Sequence, residues 1–89
     1  MGRETILFKS EERKNRSEIA GILRLIADKV EEGKVSLSNN AQSVEVSLPE
    51  NMVLEIKVEE EVKHKKKYSL EIELEWTEGG EEPGGVVIN

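Results

Sequence analysis

The chain has no cysteine, one histidine and only three aromatic residues among its 89 positions. Without thiols there are no disulfides, no thiolate nucleophile and no cysteine-held zinc or iron–sulfur cluster. A single imidazole excludes a histidine-rich metal centre within one chain. No apolar run approaches the ~20 residues of a membrane-spanning helix. The N-terminus lacks the basic-then-apolar order of a secretory signal. No phosphate loop, nucleophile elbow, metalloprotease motif or EF-hand loop is present. These absences predict a cytoplasmic protein without a catalytic constellation.

Charge is what the chain has in quantity. Charged residues make up 36% of it, and the formal net charge is −6. An acidic surface argues against nucleic-acid binding, which depends on Lys and Arg displacing counterions. It equally argues against docking on anionic membranes. With 36% apolar residues in 89 positions, one domain with one modest core is expected. That domain is expected over residues 1–77. Residues 78–89, with Glu78-Gly79-Gly80-Glu81-Glu82-Pro83-Gly84-Gly85, have the composition of a mobile tail. Val86-Val87-Ile88 either dangles from it or adds to a sheet edge.

The clearest pattern is Tyr68-Ser69-Leu70-Glu71-Ile72-Glu73-Leu74-Glu75-Trp76. Its period of two is that of a strand with one face buried and one in water. Tyr68, Leu70, Ile72, Leu74 and Trp76 are therefore expected to line a core. A helix precedes it. Asn15 is an N-cap with Glu18 three residues on, the spacing of a capping box. Ile19, Ile22, Leu23, Ile26 and Val30 recur at helical spacing, and Gly33 supplies the left-handed stop. Gly21, inside the helix, suggests a close approach to a sheet. Thr5 to Lys9 reads as a further short strand.

Between helix and final strand lie Val35 and Leu37, then Val44, Val46 and Leu48, then Leu54, Ile56, Val58 and Val62, each set alternating with polar residues. Asn39-Asn40 suits a two-residue turn with positive φ, and Pro49-Glu50-Asn51 a second turn. Matching the apolar faces then predicts a register. Lys34 faces Glu45, Glu45 faces Lys57, and Lys57 faces Glu73, a row of alternating sign. Opposed charges across strands contribute about 0.2–1 kcal/mol each. The same register sets Glu59 against Glu71 and Glu55 against Glu75, with Glu61 beyond.

That carboxylate group has two readings: a screened acidic surface, or a weak site for a hard cation. Ca²⁺ accepts flexible carboxylate oxygens, so Glu59, Glu61 and Glu71 are the candidate metal ligands, for Ca²⁺ if any cofactor. Glu60 falls on the apolar parity of its strand. Either the strand leaves the core there or a bulge re-aims the side chain. Glu60 near Tyr68 is the only conceivable start of carboxylate acid–base chemistry, and no catalytic residue is assigned. His64 sits among Lys63, Lys65, Lys66 and Lys67 and reads as an exposed loop tip.

The chain from Phe8 to Trp76 resembles the amphi-Trp domain, a small prokaryotic family without an assigned activity. The likeness runs through Phe8-Lys9-Ser10-Glu11, Ser17-Glu18-Ile19-Ala20, Leu23-Arg24, Ile26-Ala27-Asp28 and Glu32-Gly33-Lys34-Val35-Ser36-Leu37. It continues in Ser43-Val44-Glu45-Val46 and Leu48-Pro49, and ends in Leu70 to Trp76. These motifs are patterning ones, so the resemblance carries over no functional residues. The chain also looks like small archaeal proteins discussed as calcium binders, which adds to the cation reading.

The expected fold is α+β, with one amphipathic helix packed on one face of a mainly antiparallel sheet of four to five strands. The expected function is a non-catalytic accessory or interaction domain, monomeric or a weak dimer. It would meet another protein through a sheet face or edge. Weak Ca²⁺ binding is the alternative.

Overall fold

The computed structural model describes residues 2–78. The tail expected over 78–89, Val86-Val87-Ile88 included, lies outside the described residues apart from Glu78. The fold is α+β. Its elements are α1 (Arg16–Glu32), β1 (Lys34–Ser38), β2 (Ser43–Ser47), β3 (Val53–Val62) and β4 (Lys66–Glu75). The four strands form two antiparallel sheets of two, β1-β2 and β3-β4. The pairing expected between Glu45 and Lys57 is therefore not made, and the charged row across four strands is not built. The described residues fall into two compact units, divided between Leu48 and Pro49.

In the first unit the helix forms where its caps dictate. Asn15 Oδ1 accepts from the Glu18 N–H at 2.8 Å, and Glu18 Oε1 accepts from the Asn15 N–H at 3.1 Å. This reciprocal pair satisfies two donors that a helix start leaves open. The helix stops at Gly33, whose φ of 85° is left-handed and whose N–H donates to Lys29 O and Val30 O. Leu48 N–H donates to Gly33 O at 2.8 Å, so the helix stop also starts the β1-β2 ladder. The half-buried residues of this unit are Phe8, Ala20, Ile26, Val30, Gly33, Val35, Val44, Val46 and Leu48.

The β1-β2 register differs from the expected one by two residues. Lys34 faces Ser47, Ser36 faces Glu45 and Ser38 faces Ser43. The connection is four residues long, not two. Asn39 Oδ1 accepts from the N–H groups of Ala41 and Gln42, at 2.9 and 2.8 Å. Among the described residues no non-glycine has positive φ. Asn39 thus turns the chain with its side chain rather than with the left-handed backbone that a two-residue loop demands. A two-residue shift keeps each side chain on its face. Lys34 and Glu45 still meet, diagonally, with Nζ and Oε1 3.5 Å apart.

The strand expected at Thr5–Lys9 is not formed. Ile6 and Leu7 are exposed, and Lys9 N–H donates to the side-chain Oε1 of Gln42 at 3.4 Å. Ile6, Leu7 and Phe8 are contiguous and carry no alternation, so they define no face for a sheet to bury. At Gly21 a Cβ would meet nothing within 4 Å among the described residues of this unit, so no close approach is made within it.

In the second unit β3 and β4 make a ribbon of ten rungs, closed by Lys63-His64-Lys65 with Val62 facing Lys66. Leu54 faces Leu74, Ile56 faces Ile72, and Val58 faces Leu70. Facing residues share a side of the ribbon, so one side is aliphatic over three successive rungs. Within this unit nothing among the described residues buries that side. Leu70 is 66% exposed and Ile72 54%, and only Leu74 is half-buried. Alternation placed these residues together on one face correctly; nothing in it specifies a cover.

Candidate functional site

The other side of the ribbon carries the charge. Its rungs are Val53–Glu75, Glu55–Glu73, Lys57–Glu71, Glu59–Ser69 and Glu61–Lys67. The closing turn is centred one residue earlier than alternation predicts, which sets every partner on β4 two positions lower. Lys57 was expected opposite Glu73 and stands opposite Glu71. Glu59 was expected opposite Glu71 and stands opposite Ser69.

The three candidate metal ligands are nevertheless neighbours. Glu59, Glu61 and Glu71 all line one open depression of about 330 Å³, together with Glu60, Lys67, Tyr68 and Ser69. The carboxylates there have basic partners, contrary to the expected register. Lys57 Nζ lies 3.6 Å from Glu59 Oε1 and 3.4 Å from Glu71 Oε2. Lys63 Nζ lies 3.6 Å from Glu61 Oε1. Among the described residues no three His, Cys, Asp or Glu side chains are grouped to hold a metal ion.

The Lys57 ammonium is held above its ordinary 10.5, first by the hydrogen bond to Glu71, then by the charges of Glu59 and Glu71. Slight desolvation opposes this, and the charge of Glu55 adds to it. Where like charges do oppose each other, the place is Glu55 and Glu73. Glu73 is raised above its ordinary 4.5, first by a hydrogen bond with Glu75, then by the Glu75 charge. Slight burial and the charge of Glu71 act in the same direction, and Lys57 opposes them. Two carboxylates on one side of a strand share a proton more readily than one holds it alone. Sequence reasoning missed this pair as the acidic centre, because the register error had assigned Lys57 to Glu73.

Glu60 does stand directly opposite Tyr68. Both are exposed, at 62% for Tyr68. His64 is at the exposed loop tip, as expected.

The ribbon is therefore two-sided: charged and partly ion-paired on one face, aliphatic and exposed on the other. Trp76 follows β4 directly and is 41% exposed. Over residues 1–89 the chain matches the family model of the Amphi-Trp domain. It belongs to that family. No curated protein and no solved structure matches it.

Proposed function

We propose that this Amphi-Trp domain is a non-catalytic interaction module whose contact surface is the aliphatic side of the β3–β4 ribbon. The observation that carries the reading is the run of three facing aliphatic pairs, Leu54–Leu74, Ile56–Ile72 and Val58–Leu70, with all but Leu74 exposed. A two-stranded ribbon is marginal by itself in water, and contiguous exposed apolar surface marks an interaction site. The charged side suits solvent, because Lys57 already neutralises part of it. A Ca²⁺ role for Glu59, Glu61 and Glu71 has less behind it, since a lysine ammonium lies within 4 Å of one oxygen of each and offsets part of the charge a cation would need.

The test is site-specific photocrosslinking in cells. A photoreactive benzoylphenylalanine replaces Ile56 on the aliphatic side, or Lys57 on the charged side. A discrete adduct from position 56 and none from position 57 is expected. Equal capture from both positions, or no intermolecular adduct from either, overturns the reading.

A further inference from the structure

We infer that the partner on this face is a second copy of the chain, two β3–β4 ribbons packing aliphatic side to aliphatic side about a two-fold axis parallel to the strands. The inference rests on the reading of that face as a contact surface.

Size is the first argument. Leu54, Ile56, Val58, Val62, Tyr68, Leu70 and Ile72 are each more than half exposed. At ~60–120 Å² for a whole aliphatic side chain and ~200 Å² for an aromatic one, they offer about 500 Å² of apolar area per copy. Two copies with a core about 65% apolar would then bury about 1,500 Å² in all, within the ~1,200–2,000 Å² of a stable interface. The face is thus large enough to hold a copy of itself. Two ribbons stacked ~10 Å apart make the two-layer arrangement that a lone ribbon lacks.

Charge is the second argument, and it selects the copy over a foreign partner. The aliphatic side carries one acid and one base among its facing pairs, Glu60 opposite Tyr68 and Lys66 opposite Val62. They lie on adjacent rungs of that side, near the closing loop. Among the described residues neither is in an ion pair. A two-fold axis along the strands sets β3 of one copy over β4 of the other, with both closing loops at the same end. Glu60 of one copy then approaches Lys66 of the other, and the symmetry makes the contact twice. A face with one charge of each sign is its own electrostatic complement. The charged sides, with Glu55, Glu71, Glu73 and Glu75, point outward, away from each other. The arrangement also accounts for Glu60, the one acid on an otherwise apolar parity.

The experiment uses the full chain at low ionic strength, where unscreened charges act most strongly. Sedimentation equilibrium is expected to give twice the 10.0 kDa of the chain. The E60K and K66E variants each place two like-charge contacts in the dimer, and each is expected to weaken self-association about tenfold or more. Mixing E60K with K66E turns both contacts into opposite-charge pairs, and a heterodimer as tight as the original is expected. A pairing of Glu60 with Lys66 within one chain cannot give recovery on mixing. A monomer at every concentration overturns the inference, as does a dimer indifferent to both variants or a mixture that fails to recover. The wider reading of the face is judged separately by the position-56 adduct: a mass other than twice the chain overturns the second copy and leaves the contact surface standing.

Discussion

Replacing Gly21 by Ala should stabilise this protein, and the sign of the effect is diagnostic. Gly21 lies in the second turn of α1, an element of 17 residues. At 100° per residue it points roughly 160° around the helix from the middle of the stripe formed by Ile19, Ile22, Leu23, Ile26 and Val30. Among the described residues a Cβ on it meets nothing within 4 Å, so the added methyl has nothing there to displace. What remains is backbone entropy. Glycine in a helix interior costs about 0.5–1 kcal/mol relative to alanine, chiefly through the freedom it keeps in the unfolded chain. For a domain of this size that corresponds to a rise of about 2 to 8 °C in the melting midpoint. The assay is thermal unfolding followed by circular dichroism at a helical wavelength, with wild type and variant at equal concentration. A fall in the midpoint would refute the reasoning. It would mean that the methyl collides with an element packed against that side of α1, and that the glycine exists for a close approach after all.

The caps should behave in the opposite sense. Asn15→Ala removes the acceptor that lies 2.8 Å from the Glu18 N–H, and a loss of about 1 kcal/mol is expected from chemical denaturation; no loss would mean that the capping box does not hold in solution. Gly33→Ala should cost about 1–2 kcal/mol through its left-handed φ alone, since the nearest atom to the new Cβ is Leu48 O at an ordinary 3.8 Å. Gly33→Asn should cost less, because asparagine tolerates that conformation; equal losses would point to a steric cause instead. Two titrations probe the charged side of the ribbon. The stabilisation that Lys57 draws from Glu71 and Glu59 is present below its ordinary 10.5 and is lost as pH rises through its raised value. Lys57→Met should therefore flatten the alkaline end of the stability profile. For Glu73 the raised value means that ionisation opposes folding, so its contribution is present below 4.5 and lost as pH rises through the raised value. Glu75→Ala removes both the hydrogen bond and the charge, and should bring the NMR midpoint of Glu73 down toward 4.5. An unmoved midpoint would show that Glu75 is not the cause.

The helix was legible almost to the residue, because its limits are set by local chemistry. Asn15 with Glu18 opens it and Gly33 closes it, and no distant element is needed for either. The strands were legible as faces, since alternation is also local. Register was not. In both hairpins the facing residues are offset by two from those expected. The cause is loop length in each case. Asn39 uses its side chain to turn the chain over four residues, and Lys63 N–H donates to Lys65 O across a three-residue loop at 3.2 Å. A shift of two leaves every side chain on its face, so the apolar pattern cannot detect the error. The charges do register it. Glu71 gains Lys57 as its partner across the ribbon, and the carboxylates that face each other become Glu55 and Glu73.

Alternation also says nothing about what covers a face, and here the charge pattern along the face is the more informative signal. Glu60 stands on this side of the ribbon, beyond the three aliphatic rungs, and is exposed. A carboxylate at that position takes its counter-charge from water or from another molecule. Along the face, three aliphatic rungs are followed by Glu60–Tyr68 and Val62–Lys66. That is the order of an interface, an apolar centre with a charged rim at one end. Rim charges contribute little to affinity, but they set which partner fits and in which orientation. A rim with one acid and one base on adjacent rungs fits its own image, turned about the strand direction, better than a surface of either single sign. Glu60, an anomaly when the ribbon is considered alone, becomes one half of a symmetric contact when two ribbons are considered together.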